Sequence, residues 1–294
     1  MVPTPHRRRA TLIGFTAILM WATLALLTEL SGPVPPFQLT AMAFTIAFLI
    51  GVATWLQDGG NPLHHLKLPK TVWCLGVVGL FGYHFFYFIA LSHAPAVEAS
   101  LIAYLWPLLI VVFSALLPGE KLRWFHVAGA IAGFAGATLL VTQGQSLSFD
   151  ARYTTGYLAA LVCALTWSSY SLLSRRFGAI PTNAVGGFCG VTALLAWLCH
   201  RVFEVTVWPT GTAWLAVLGL GLGPVGLAFF TWDYGVKQGN LKALGALSYL
   251  APLLSTLLLV LCGLAEATWS VWLACFLIVG GALLAVMDFL TEGR

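Results

Sequence analysis

The sequence predicts an all-α polytopic membrane protein, with ten transmembrane helices arranged as two inverted five-helix repeats around a central cavity. Three observations predict this fold class: an apolar composition with few charges, ten apolar segments of membrane-spanning length, and an internal repeat. Of the 294 residues, 60% are hydrophobic and only 8% are charged, whereas soluble domains contain about 25% charged residues. The composition therefore excludes a soluble globular protein.

Ten apolar segments are each long enough to cross the hydrocarbon core of a bilayer, which takes about 20 helical residues. Most of the connecting segments contain Pro, Gly or charged residues, which mark turns and loops. A basic patch, HRRR, precedes the first segment. Because that segment continues to about Leu30, longer than the apolar region of a signal peptide, we interpret it as a retained helix. The predicted spans are residues 10–30, 37–56, 72–92, 96–117, 125–142, 156–174, 184–203, 212–232, 243–263 and 268–289.

The placement of Lys and Arg tests the number of spans, because cytoplasmic loops carry an excess of both residues. With ten spans and a cytoplasmic N-terminus, only Arg152 and Arg201 face outward. A span count wrong by one would scramble this sorting, so both termini are predicted to be cytoplasmic. The residues predicted to lie on the cytoplasmic side are Arg7, Arg8, Arg9, Lys67, Lys70, Lys121, Arg123, Arg175, Arg176, Lys237, Lys242 and Arg294.

The two halves of the chain repeat one another. AYLWPLL at residues 103–109 returns as SYLAPLL at residues 248–254, an offset of 145, and Trp21 aligns with Trp167 at an offset of 146. Offsets of this size in a membrane protein indicate an internal structural repeat.

We therefore predict a first repeat over residues 1–146 and a second over residues 147–294, each with five spans. Because five is odd, the second repeat must be inverted in the membrane relative to the first. Inverted repeats are typical of alternating access, with the substrate near the bilayer midplane where the halves meet.

Pro107 and Pro252 lie at equivalent points of spans 4 and 9. A proline removes a backbone donor and disturbs the helix around it, which a membrane tolerates where neighbours or a water-filled cavity satisfy the freed carbonyl. We predict that both prolines are kinks or hinges beside the substrate site. The alternative is that they are packing kinks without a function.

Mid-span aromatic and hydroxyl side chains are the candidate substrate-binding residues. Such a set suits a largely apolar ligand with a few hydrogen-bonding groups, and aromatic faces can also hold a cation. The alternative is that the aromatic residues anchor the protein at the membrane interfaces and the hydroxyls bridge helices. The candidates are Tyr83, His84, Tyr87, Ser100, Tyr104, Trp106, Trp167, Ser171, Ser248 and Tyr249.

His84 is an ionisable group near the middle of span 3 and could titrate near neutral pH. A histidine bonded to Tyr or to backbone in the protein core is the alternative. No carboxylate lies in mid-span, so the sequence does not support coupling to an ion gradient. The six cysteines occur singly, without metal or disulfide spacing. We predict no cofactor, no metal site and no catalytic residue.

Both halves resemble the EamA domains of the drug/metabolite transporter (DMT) superfamily. The resemblance lies in FYFIALSHAPAVEASLIAYLWPLLIVVFSALLPGEKLRWFHVAGAIAGFAGATLLV and in the second half from FFTWDYGVKQGNLKALGALSYLAPLL onward. The second half departs from the pattern at LAEATW, which lacks the basic residue of the turn in the first half. The resemblance implies ten helices, cytoplasmic termini and a central cavity.

Within the superfamily, MWATLALLTEL and YLWPLL are similar to segments of the YddG-type aromatic amino-acid exporters of bacterial inner membranes. That resemblance implies phenylalanine, tyrosine, tryptophan and related apolar amino acids as cargo.

The sequence thus predicts an inner-membrane protein, not an enzyme, that exports aromatic and other apolar amino acids by alternating access. Its expected partners are the small-molecule substrate and the lipid bilayer, with no nucleic acid, and we expect it to act as a monomer. One alternative is a promiscuous exporter of drugs or amphipathic cations. Two others are a membrane-embedded enzyme that uses His84 and a structural assembly factor.

Overall fold

The computed structural model describes residues 5–58 and 61–287, and the long regular elements of that part of the chain are helices. Among these residues, nine helices, α1–α9, are long and apolar enough to cross a membrane, and α10 is shorter, with 17 residues. The helices are α1 (Pro5–Leu30), α2 (Pro36–Gln57), α3 (Lys70–His93), α4 (Ala96–Leu116), α5 (Trp124–Thr142), α6 (Ala151–Arg176), α7 (Ala184–Phe203), α8 (Ala213–Gln238), α9 (Leu241–Leu261) and α10 (Trp269–Ala285).

The helices coincide with the predicted spans to within a few residues, except that α8 ends at Gln238 instead of residue 232. The extra turn is possible because the Asp233 carboxylate pairs with Lys237 at 2.8 Å and accepts a hydrogen bond from the Thr182 hydroxyl at 2.9 Å. Neutralised in this way, Asp233 lies inside the protein with 1% of its surface exposed. Residue 289, the predicted end of the last span, and Arg294 lie outside the described residues.

Three of the long helices are interrupted, so that each consists of two helical segments. In α4 and α9 the interruption comes shortly before Pro107 and Pro252, so each proline falls in the first turn of a new helical segment. There a missing backbone N–H costs little, because the first four amides of a helix have no partner within it. The segments are Pro5–Trp21 and Leu24–Leu30 in α1, Ala96–Ala103 and Trp106–Phe113 in α4, and Leu241–Leu247 and Leu250–Leu261 in α9.

Two further helices contain a wider, π-helical turn. It covers Val78–Gly82 in α3 and Gly223–Leu227 in α8, and adding 145 to the first range gives the second. This is the offset that aligns AYLWPLL with SYLAPLL. Each π turn inserts a residue into the helix and frees backbone groups locally, a feature that recurs at functional sites.

Helices of the first half pack closely against helices of the second half at glycine. A Cβ atom on Gly281 of α10 would lie 2.5 Å from the carbonyl oxygen of Gly129 on α5, so neither position has room for a larger side chain. Small residues at such points let helix backbones approach each other in a membrane. Glycine pairs of this kind join α1 to α8 (Gly14 and Gly235), α2 to α7 (Gly51 and Gly186) and α5 to α10 (Gly129 and Gly281).

A cluster of charged side chains closes one end of the helix bundle. Glu120 lies in the loop between α4 and α5. Its Oε1 lies 2.9 Å from a guanidinium nitrogen of Arg7, on α1, and 3.0 Å from one of Arg175, on α6. Its Oε2 lies 3.0 Å from Nζ of Lys242, on α9. Lys242 also donates a hydrogen bond to the carbonyl oxygen of Lys121 at 2.8 Å. The single carboxylate thus ties three helices to this loop.

The pKa of Glu120 lies below its ordinary value. Burial by itself raises the pKa, but the hydrogen bond from Lys242 and the positive charges of the three neighbouring cations outweigh that effect. Because this pKa is lower in the folded protein than in an unfolded chain, the ionised carboxylate stabilises the folded state at pH values above about 4.3, the pKa of glutamate in an unfolded chain. This contribution is lost as the pH falls through the pKa of Glu120 in the folded protein.

The opposite end of the bundle is held by Glu204, which follows α7. Its two carboxylate oxygens accept hydrogen bonds from the backbone amides of Phe37, at 2.8 Å, and Gln38, at 3.0 Å, in the first turn of α2. The amides at a helix N-terminus are unpaired and carry partial positive charge, so they are good partners for a carboxylate. Val207 donates its amide hydrogen to the Gln38 side chain at 3.0 Å, which adds a second link.

We expect Gly281→Ala to lower the free energy of unfolding by about 1–3 kcal/mol, because the new methyl group collides with the backbone of α5. Gly280→Ala, one residue earlier, is the matched control, since a Cβ there meets no atom within 4 Å. Thermal unfolding of the two purified variants in detergent measures the difference. Equal stabilities would contradict the close approach of α5 and α10.

We expect Glu120→Gln to destabilise the protein by about 1–3 kcal/mol at pH 7, because three cations lose their shared carboxylate while solvent still reaches the two arginines. The difference in Tm between the original protein and the variant should shrink as the pH is lowered below about 4. A difference that grows on acidification would contradict the assigned role of Glu120.

Candidate functional site

A cavity of about 170 Å³ lies between the two halves of the molecule. Six helices line it: α1, α3 and α4 from the first half and α6, α8 and α9 from the second. Its walls are mainly aromatic and aliphatic, with a few hydroxyl groups and one imidazole. The lining residues are Trp21, Leu24, Ala25, Tyr83, His84, Tyr104, Trp106, Trp167, Pro224, Val225, Phe229, Ser248, Ala251, Pro252 and Ser255.

The interruptions of the helices surround this cavity. The π turn of α3 directly precedes Tyr83, and the π turn of α8 contains Pro224. The breaks in α4 and α9 lie at Tyr104 and Ser248, both of which line the cavity. Irregular backbone at membrane depth is tolerated where it is buried in protein or lines a cavity, and the interruptions of these helices meet that condition.

Four tryptophans, two from each half, pack together at one side of the cavity. Their ring centroids lie 5.0–6.3 Å apart, mostly in edge-to-face contacts, as is favourable for aromatic rings. Trp232 is fully buried beneath the other three. We refer to this group as the tryptophan cluster; it consists of Trp21, Trp106, Trp167 and Trp232.

The tryptophan cluster separates the cavity from the end of the bundle that Glu120 closes. Because α1 begins at that end, Leu24 and Ala25 lie beyond Trp21 along the helix, and they line the cavity. On α9, which also begins there, Ser255 extends the lining in the same direction. The cavity therefore extends away from the Glu120 end.

Two tryptophans of the cluster, one from each half, use their indole N–H groups within the protein. Trp21 donates its indole N–H to the carbonyl oxygen of Pro224, in the π turn of α8, at 3.0 Å. Trp232 donates its indole N–H to the Ser171 hydroxyl, also at 3.0 Å. Of these two residues, Trp21 lines the cavity, and with its N–H bonded to Pro224 it offers the cavity the apolar surface of its ring.

His84 is held in one orientation by α3 and by its aromatic neighbours. Its Nδ1 lies 2.8 Å from the carbonyl oxygen of Leu80, in the π turn, and its ring packs edge to face against Phe44. A carbonyl only accepts hydrogen bonds, so Nδ1 carries the hydrogen and, in the neutral ring, Nε2 is an acceptor. His84 thus brings a hydrogen-bond acceptor to an otherwise mostly apolar cavity wall.

The structure brings together seven of the twelve residues that the sequence analysis selected. Their part in substrate binding stays a prediction, but their position around one cavity is a property of the fold. They are Tyr83, His84, Tyr104, Trp106, Trp167, Ser248 and Pro252.

The other five selected residues lie outside the cavity lining. Tyr87 and Ser100 share a hydrogen bond of 3.3 Å, and the Tyr87 ring stacks behind Tyr83. Ser171 is fully buried and accepts the hydrogen bond from Trp232.

Tyr249 is fully buried as well, and Pro107 is buried at the start of its helical segment. Tyr249 was a candidate for substrate binding, but its ring packs against Gly133 and Phe134 of α5 inside the protein.

Several residues of the cavity lining are not among the candidates predicted from the sequence. Trp21 could have been selected, because the repeat aligns it with Trp167. The apolar residues of the lining carry no signal of their own in a sequence that is 60% hydrophobic. The lining residues outside the selection are Trp21, Leu24, Ala25, Pro224, Val225, Phe229, Ala251 and Ser255.

A family model and several relatives match this chain. The model of the EamA-like transporter family matches twice, at residues 8–142 and at residues 154–287. A protein of Ancylobacter novellus named "Aromatic amino acid exporter YddG" is 57% identical over 282 residues, which cover 96% of this chain and 98% of that protein. The protein of the same name from Escherichia coli K12 is 26% identical over 289 residues, with 95% of this chain and 97% of that protein covered.

A solved crystal structure also matches, at 57% sequence identity. It superimposes with a TM-score of 0.91 over 96% of this chain and 99% of the other. The cavity therefore lies in a helical arrangement shared with an experimentally determined structure. Together with the twofold match to one family model, these similarities show that the chain belongs to the EamA-like transporter family.

Proposed function

We propose that the protein exports aromatic and other apolar amino acids across the bacterial inner membrane by alternating access. The observation that carries this proposal is the cavity between the two halves, walled by indole and phenyl rings and containing few polar atoms. The name of the relative that is 57% identical, an aromatic amino acid exporter, agrees with such a cargo. A cavity of this kind suits an apolar side chain attached to a small polar group.

The proposal includes ten membrane crossings. The 17 residues of α10 rise about 26 Å as a helix, close to the thickness of about 30 Å that a span must cover. With ten crossings both termini lie on one side, and the excess of Lys and Arg at the Glu120 end makes that side cytoplasmic. The cavity then extends toward the periplasm, as in an outward-facing state.

The proposal also includes two inverted repeats, over residues 1–146 and 147–294. The π turns of α3 and α8, offset by 145 residues, support it. So do the breaks before Pro107 and Pro252 and the two matches to one family model. In such an arrangement the substrate lies at the junction of the halves, and their relative motion exposes it to each side in turn.

The cargo is an amino acid with two charges, and no charged side chain lines the cavity among the residues that the structure describes. The ammonium group donates hydrogen bonds to Nε2 of His84 and to hydroxyl oxygens, and the carboxylate accepts them from tyrosine and serine hydroxyls. The side chain lies against the rings of the tryptophan cluster. Recognition of this kind favours cargo with a large apolar surface.

A second candidate is the export of amphipathic cations, such as aromatic drugs with an ammonium group. The aromatic rings of Trp21 and Tyr83 in the cavity lining favour it, because aromatic faces attract cations. Competition between labelled phenylalanine and a quaternary ammonium dye in proteoliposomes separates the two candidates. Inhibition by the dye without inhibition by unlabelled tryptophan would favour the second.

We expect Trp21→Ala to reduce the export of labelled tryptophan at least about tenfold, because the loss of a buried aromatic contact costs more than about 1.4 kcal/mol. Trp208→Ala is the matched control, since Trp208 is 58% exposed and stacks on Trp214, away from the cavity. Flux from proteoliposomes with equal amounts of folded protein measures the effect. Full transport by Trp21→Ala would contradict the proposed site.

We expect aromatic amino acids to move down their own gradient without an imposed pH gradient, because no carboxylate among the described lining residues can carry a proton. The measurement is flux of labelled phenylalanine from proteoliposomes, with and without a pH difference across the membrane. Movement that requires a pH difference would contradict facilitated export and would direct mutagenesis to His84. Lack of movement of any amino acid would contradict the proposed cargo.

A further inference from the structure

The hydroxyl group of Tyr249, on α9, occupies the break in α4. It accepts a hydrogen bond from the backbone amide of Leu108 at 3.2 Å and donates one to the carbonyl oxygen of Tyr104 at 3.1 Å. In a continuous α-helix, the amide of residue 108 would bond directly to the carbonyl of residue 104. The Tyr249 hydroxyl therefore bridges the two groups that the helix would otherwise join.

The Tyr249 ring is held in place by α5. A Cβ atom on Gly133 would lie 2.5 Å from the ring, so the ring fits only because this residue is glycine. The neighbouring ring of Phe134 lies 6.3 Å away, centroid to centroid. With 0% of its surface exposed, Tyr249 has no contact with the cavity. Its hydroxyl contacts backbone instead of cargo.

The equivalent residue in the first half, Tyr104, has a different environment. It aligns with Tyr249 at an offset of 145, but it lines the cavity. At the same offset, Gly133 aligns with Ile278, a fully buried residue whose larger side chain packs against Gly136 of α5. A socket for a tyrosine ring thus exists in α5 and not at the matching position of α10. The bridge belongs to one half of the molecule.

We propose that Tyr249 is a positioning residue, whose hydroxyl bridges the two segments of α4 by hydrogen bonds and so fixes Tyr104 and Trp106 in the cavity wall. These two residues stand on either side of the break and line the cavity. The proposal rests on the proposed function, since the wall that is held in place is the one that binds the cargo. Through this contact, a helix of the second half sets the shape of the wall in the first half.

Pro107 accounts for the break that Tyr249 bridges. A proline ring clashes with the carbonyl of the residue four positions earlier and breaks the helix, and within a bilayer the groups freed at a helix break have no water to bond to. An unpaired buried polar group costs about 1–3 kcal/mol, and the Tyr249 hydroxyl satisfies an amide and a carbonyl at once. Loss of the hydroxyl leaves both groups without this partner.

The test is Tyr249→Phe, which keeps the ring in its socket and removes only the hydroxyl. We expect amide hydrogen exchange in peptides that cover residues 104–113 to accelerate about three- to tenfold in nanodiscs. The KM for labelled phenylalanine should rise several-fold while kcat changes little, because the cavity wall loses its fixed position.

Tyr104→Phe is the matched control for the exchange measurement. It removes the equivalent hydroxyl of the first half but leaves the Tyr249 bridge, so exchange over residues 104–113 should not accelerate. Unchanged amide exchange in Tyr249→Phe would contradict a stabilising role of the Tyr249 bridge. Accelerated exchange with unchanged KM would overturn the positioning role. If the unaltered protein exports no amino acid, the proposed function is wrong. The exchange measurement alone then tests whether the Tyr249 bridge stabilises α4.

Discussion

The hydrocarbon core of a membrane offers no water to the polar groups of a polypeptide backbone, and every break in a helix has to be satisfied by the protein itself. Side chains bond the backbone at the helix interruptions of this molecule. The Tyr249 hydroxyl bridges the break in α4, the Trp21 indole bonds the π turn of α8, and the His84 imidazole bonds the π turn of α3. Two of these side chains, Trp21 and His84, also line the cavity.

Backbone irregularity and the cavity therefore depend on each other. The breaks make room between the halves and aim side chains such as Tyr104 into that room, while side chains around it stabilise the breaks. At one end of the bundle, the helices are linked by ion pairs, because the carboxylate of Glu120 binds cations from three helices.

Much of this arrangement could be predicted from the sequence. Hydropathy located the helices, because a span must be apolar over its whole length, and the repeated Tyr-Leu-x-Pro-Leu-Leu located the breaks beside Pro107 and Pro252. The aromatic residues Trp106 and Trp167 were selected as candidate wall residues, and both lie at the cavity. Local pattern was sufficient for these features since each depends on a short stretch of chain.

What the sequence could not reveal depends on contacts between distant residues. Tyr104 and Tyr249 occupy the same position of the same motif, yet one faces the cavity and the other is buried, because the ring of Tyr249 finds Gly133 where its counterpart would meet Ile278. The three cations around Glu120 come from three different helices, so no local pattern joins them. Such differences between repeats arise from packing and not from the repeated pattern.

The lining of the cavity is drawn from three helices of each half. A chimera that joins the first half of one such protein to the second half of another would therefore contain two unrelated half-sites, facing each other across a single pocket. Under the proposed function, neither repeat alone would carry the cargo preference, because each supplies only part of the wall.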